Sequence, residues 1–297
     1  MKKLVIITVF LISNFSFSQL KAVVIDKGTK EGIPFVNIWV AGENSGTTSN
    51  EKGEFNLHVN HSKIIIFSAI GFETRRIAFE LVKERVELKP MITELDEVVI
   101  TSKKQLKSAV IGKFKKSRIN HYFACGTTPW ISARHYEYKE GYKETPFLEK
   151  IKIVTKSKIR DAKFNIRLYR VNENGAPGNY LYGKNIIGIA KKGKKRTEID
   201  VSELNIEFPK TGFFIAFEWL IIEDNKYEFN YTINGAKKKH KGIRYAPRIG
   251  LVPVEADTNS WIFIQGNWRK AWKNNNDNSK RYKGKYNLLA IELTLIN

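Results

Sequence analysis

The chain has 297 residues, with 51 Lys and Arg against 30 Asp and Glu, and a single cysteine. That length suits two ordinary domains, and the lone Cys125 excludes an internal disulfide, so stability must come from buried cores. The net charge of +21 is unevenly placed: residues 1–104 carry 14 basic against 12 acidic side chains, and the remainder carries 37 against 18. Such asymmetry suggests two modules and an anionic partner for the second. The same lysines also serve a β surface by keeping it soluble and blunting its edge strands.

The chain opens with Lys2 and Lys3, an apolar run from Leu4 to Ile12, and the small polar segment Ser13 to Ser18. These are the three parts of a cleavable signal peptide, here residues 1–18, with cleavage expected between Ser18 and Gln19. A run of nine residues is too short for a membrane anchor. No cysteine follows the run, so a lipoprotein is not expected, and no later run is long enough for a transmembrane helix. The expected location is the periplasm, the outer-membrane surface or the cell surface.

Residues 19–101 alternate with period two, the mark of half-buried strands. Val36, Ile38 and Val40 share one face, and Phe55, Leu57 and Val59 alternate with Glu54, Asn56 and His58. Ile64 to Ala69 is apolar on both faces and reads as a covered strand. Turn signals separate the runs at Asp26-Lys27-Gly28, Glu51-Lys52-Gly53 and Ile70-Gly71. The strings from Val23 to Asp26, Ile33 to Ile38, Gly46 to Leu57 and Leu95 to Ile100 resemble the carboxypeptidase regulatory-like domain, common in Bacteroidetes. The resemblance implies a transthyretin-like sandwich of seven strands that is not itself a peptidase. Such domains also precede large outer-membrane receptor barrels, but 22 strands of about 10 residues do not fit what remains.

Residues 102–124 are basic and weakly periodic, and read as a linker with a short helix around Leu106 to Phe114. In residues 125–297 alternation returns: Phe164, Ile166 and Leu168 against Lys163, Asn165 and Arg167; Tyr227, Phe229, Tyr231 and Ile233 against Glu228, Asn230 and Thr232; and Leu289 to Leu295 at the end. Phe213 to Leu220 is nearly all apolar and reads as a core strand. Asn234-Gly235 is a hairpin signal, and the basic runs Lys191 to Arg196 and Lys237 to Lys241 read as charged hairpin tips. No βαβ rhythm is present. The expected fold is therefore all-β, an N-terminal transthyretin-like β-sandwich followed by a second jelly-roll-like β-sandwich. The second segment also resembles the uncharacterised C-terminal module of exported Bacteroidetes proteins that carry the same first domain, a resemblance that supplies no reaction.

The sequence carries no nucleophile elbow, phosphate loop or zinc motif. His58 and His61 flank a turn without partners at metal-ligand spacing. Glu218 sits between Phe217 and Trp219 and points to the opposite face from them. No catalytic residue, metal or cofactor is assigned. The candidate ligand-binding residues are aromatic and basic: Trp268, Trp272, Arg269, Lys273 and Tyr282, since indole faces stack on rings and cations hold acidic groups. The expected function is a non-catalytic exported binding or interaction protein, with an acidic glycan, lipopolysaccharide, an anionic membrane surface or an envelope protein as partner. A carbohydrate-active hydrolase built on the second sandwich and an outer-membrane assembly accessory are the alternatives.

Overall fold

A computed structural model describes residues 18–59, 63–91, 107–233, 239–275 and 280–297. The export segment lies outside these residues except for Ser18, as do His61 and the closing string Leu95 to Ile100. Over the described residues the protein is all-β, and no helix is long and apolar enough to cross a membrane.

The first module contains β1 (Ser18–Asp26), β2 (Asn37–Val40), β3 (Gly46–Thr48), β4 (Glu54–Val59), β5 (Ile64–Ser68), β6 (Arg75–Ala78) and β7 (Arg85–Leu88). They form a three-stranded sheet, β4-β1-β7, and a four-stranded sheet, β3-β2-β5-β6. Alternation decides the packing. Phe55, Leu57 and Val59 of β4 are buried while Glu54, Asn56 and His58 are exposed. The inward residues meet Val24, Ile38, Ile65 and Phe67 in one core. The turn before β4 requires Gly53: its φ is +81°, and a Cβ there would lie 2.4 Å from the Val24 carbonyl oxygen.

The second module contains β8 (Ser108–Ile111), β9 (Tyr122–Cys125), β10 (Trp130–Tyr136), β11 (Phe147–Ser157), β12 (Ala162–Val171), β13 (Pro177–Tyr180), β14 (Ile186–Ala190), β15 (Gly193–Asp200), β16 (Phe213–Trp219), β17 (Lys226–Thr232) and β18 (Lys239–Val254). It is completed by β19 (Trp261–Ile264), β20 (Asn267–Lys270), β21 (Tyr286–Leu289) and β22 (Ile291–Ile296). One sheet runs β13-β12-β16-β10-β19-β20, with β14 on β12; the other runs β17-β18-β11-β22-β8, with β15 on β11 and β9 and β21 on β18. Between them lies a core that includes Phe164, Ile166 and Leu168, Phe213, Ile215, Phe217 and Trp219, and Ile291, Leu293 and Leu295.

Two expectations change here. The segment read as a linker with a short helix belongs to the second module: Ser108 to Ile111 pair with Ile296 to Leu293. The reason lies in Ala109 and Ile111, which alternate at strand spacing and pack on the core. The basic run read as a hairpin tip at Lys191 to Arg196 instead enters β15, where Gly193 to Asp200 pair with β11 along its length.

The modules are docked. Phe35, held at φ 57°, packs with Leu220 and Ile222. Thr48 exchanges hydrogen bonds with Ile221: its amide donates to the Ile221 carbonyl at 3.2 Å, and its hydroxyl accepts from the Ile221 amide at 3.0 Å. Lys163 pairs with Glu51 at 2.8 Å. A Cβ on Gly46 would lie 2.5 Å from Pro129, so that glycine permits close approach.

Candidate functional site

The outer face of the seven-stranded sheet, away from its core, carries the site. Period two places Asn165, Arg167 and Tyr169 of β12 on that face. It does the same for Phe214, Ala216 and Glu218 of β16 and for Ile131 and Ala133 of β10. Cross-strand register sets Asn165 beside Glu218 and Tyr169 beside Phe214, Ile131 beside Phe263, and Phe263 beside Trp268.

The sheet is strongly curled. Four strand spacings separate β12 from β20, about 19 Å in a flat sheet. Yet Tyr169 and Trp268 meet edge to face with centroids 5.3 Å apart, and Asn259 donates to the Gly175 carbonyl at 2.8 Å across the same gap. The curl folds β20 over the sheet and gathers Tyr169, Phe214, Phe263 and Trp268 into one aromatic cluster.

The first module closes the other side, with Trp39 edge-on to Phe263 at 6.2 Å. The result is a groove of about 820 Å³ lined from both modules, including Asn37, Trp39 and Met91 on one wall and Arg167, Tyr169, Tyr180, Phe263 and Trp268 on the other. The Trp39 indole N–H is buried and takes no acceptor among the described residues.

At the floor lies a buried ion pair. Arg167 Nε donates to Glu218 Oε2 at 2.5 Å and Nη2 to Oε1 at 2.7 Å. The two side chains are 2 % and 1 % exposed. Asn165 donates to Oε2 at 2.9 Å, and Asn37, from the first module, donates to Oε1. Four donors thus fill the carboxylate's acceptor sites. Burial disfavours the Arg167 charge, but the Glu218 carboxylate outweighs it and holds Arg167 protonated well above its usual range. Arg167 also donates to the Tyr180 hydroxyl at 2.5 Å, and burial pushes the Tyr169 hydroxyl well above the usual phenol range. Among the described residues no group of three His, Cys, Asp or Glu side chains could hold a metal ion.

The five residues singled out from the sequence do not form one site. Trp268 lines the groove. Arg269 is exposed near Gln265, with Nη2 3.4 Å from Oε1. Trp272 is 68 % exposed, and Lys273 sits over the Tyr286 ring at 5.6 Å. Tyr282 is a correction: it is wholly buried, stacked on His121 at 4.1 Å, and donates to the Leu251 carbonyl at 3.0 Å, so it offers no face to a ligand. Its neighbours in sequence are basic, and it anchors that charged loop to the core.

Sequence reasoning missed Asn37, Trp39, Arg167, Tyr169, Tyr180 and Phe263. The available signal was polarity at alternate positions of the two most apolar strands, Asn165 and Arg167 in β12 and Glu218 in β16.

Residues 20–100, about a quarter of the chain, match the sequence profile of the CarboxypepD_reg-like domain. No curated protein matches the chain. Among solved structures, one of the infectious bursal disease virus Gx strain aligns at 8 % identity with a TM-score of 0.26, covering 94 % of this chain and 64 % of its own. The VP2 subviral particle of infectious bursal disease virus aligns at 8 % and 0.27, with the same coverage. The T6 backbone pilin of serotype M6 Streptococcus pyogenes aligns at 11 % and 0.15, covering 91 % of this chain and 79 % of the pilin. The chain thus spans less than two thirds of the length of those viral chains.

Proposed function

We propose that the chain is a non-catalytic binding protein of the cell envelope or surface, exported by its N-terminal segment, that holds a glycan in the groove between its modules. The observation that carries this reading is the pairing of aromatic walls with an engaged acid. Tyr180, Phe263 and Trp268 line the groove half-buried, backed by the buried rings of Trp39 and Tyr169, and offer surface of the kind that packs on sugar rings. The carboxylate beneath the floor, Glu218, is filled by Arg167, Asn165 and Asn37, so it has no free lone pair for a substrate proton or water. A domain of the CarboxypepD_reg-like kind fits a binding or structural role.

The test is a panel of neutral and acidic glycans presented to the whole protein, with product analysis on each. The reading expects a glycan bound and recovered unchanged, with affinity reduced roughly tenfold or more by Trp268→Ala. Turnover of a glycan that vanishes in Glu218→Gln would replace this reading with the hydrolase alternative.

A further inference from the structure

The second module carries a cluster of cations on the outer face of its eight-stranded sheet, on a different sheet from the groove. Register places Lys194 of β15 directly beside Lys156 of β11, and Lys156 directly beside Arg248 of β18. Three positive side chains therefore stand in one row across three adjacent strands, about 4.8 Å apart at the backbone. Like charges directly opposite one another weaken a sheet, so the row costs stability unless something else compensates it.

The first residue of β9, Tyr122, and the turn before it draw these cations together. Lys156 Nζ and the Arg248 guanidinium both lie over the Tyr122 ring, at 5.4 and 5.5 Å from its centre. Lys194 donates to the Ile119 carbonyl, which also accepts from the Tyr122 hydroxyl at 3.2 Å. Lys116, at the start of the turn that leads into Ile119, adds its charge: Lys194 is held below the usual lysine range by burial and by the charges of Lys116 and Lys156. Among the described residues none of these four cations forms an ion pair.

A row of compact ammonium groups beside a guanidinium, drawn over one aromatic ring, is a receptor for a compact oxyanion of more than one charge. Lysines supply point charges, and the planar arginine fork fits tetrahedral phosphate geometry. We propose that Lys156, Lys194 and Arg248, with Tyr122 beneath them, bind a phosphate group, either free or borne by a larger envelope molecule. The site stands whether or not the groove holds a glycan.

The experiment titrates the whole protein with inorganic phosphate and, separately, with phosphatidylglycerol vesicles against neutral phosphatidylcholine vesicles, at low and high salt. Lys156→Gln and Arg248→Gln are each expected to weaken binding roughly tenfold or more, with Arg248→Lys falling between them and the parent. Lys158→Gln, an exposed neighbour outside the row, should change it less than about twofold, and salt should weaken all binding. Trp268→Ala should leave phosphate binding intact, so failure of the groove reading and failure of this one are separable. Binding to phosphatidylglycerol with the same variant pattern, without binding of free phosphate, would support the site and assign its phosphate to a lipid. Phosphate binding indifferent to Lys156→Gln, equal losses in Lys158→Gln, or no binding in either arm would overturn it. Lys156 is exposed, so its variant tests the site even if Arg248→Gln fails to fold.

Discussion

Replacing Arg167 by methionine removes the guanidinium at the groove floor while keeping most of the stem volume. Glu218, 1 % exposed, then keeps only the amides of Asn37 and Asn165. Breaking one side of a buried ion pair costs about 3–5 kcal/mol, chiefly because the remaining charge is left uncompensated. Loss of the Tyr180 hydroxyl bond adds about 1 kcal/mol. Against a total stability of about 5–15 kcal/mol this is a large fraction. Urea denaturation followed by tryptophan fluorescence should show a matching fall in midpoint at unchanged slope, since Trp219 and Trp130 are stacked at 4.3 Å and report the core. The companion Glu218→Met should cost a similar amount. The double variant, with no buried charge at the site, should lose far less than the two together, giving a coupling of about 3 kcal/mol. A loss under about 1 kcal/mol for Arg167→Met, or strict additivity in the double variant, would refute the account of the floor as a mutually dependent pair.

Cys125 is wholly buried and burial pushes its thiol up to about 12; a thiol reagent at neutral pH should label it stoichiometrically in denaturant and hardly at all in the native protein. Burial lowers the pKa of His135, so the unfolded chain binds that proton first. Its contribution is full above the unfolded value near 6.5 and is lost as pH falls through that value toward the folded one; His135→Gln should flatten the acid-side decline in urea midpoint relative to the parent. Leu220, fully buried where Phe35 docks, should cost about 2–5 kcal/mol when replaced by alanine, and the same variant should cut faster under limited proteolysis between the modules; unchanged cleavage would count against docking through this contact.

Much of the fold could be read in the sequence, because strands with one wet face announce themselves by alternation. Glu54 to Val59 alternates in burial as expected, and Phe213 to Trp219 is buried throughout. The site could not be read the same way. Asn165 and Arg167 alternate with Phe164, Ile166 and Leu168, which looks like a face turned to water, but the first module and the curled sheet cover that face and bury them. Periodicity separates the two sides of a strand without saying what lies on the polar side. Trp268 was found because indole in a basic stretch is conspicuous; Trp39 was hidden in the apolar pattern of β2. The short strand Ser108 to Ile111 escaped notice because its lysine-rich surroundings masked two apolar positions.

The reach of Asn37 into the Arg167–Glu218 pair has a consequence for building with these modules. The apolar contact of Phe35 with Leu220 and Ile222 supplies adhesion, but greasy surfaces tolerate sliding, whereas a carboxylate filled by donors from both sides admits one alignment. Grafting the first module onto another sandwich would transplant the adhesive patch easily and the alignment only if the recipient offered an acid opposite Asn37. A graft without it should yield a tethered pair whose groove has no fixed width.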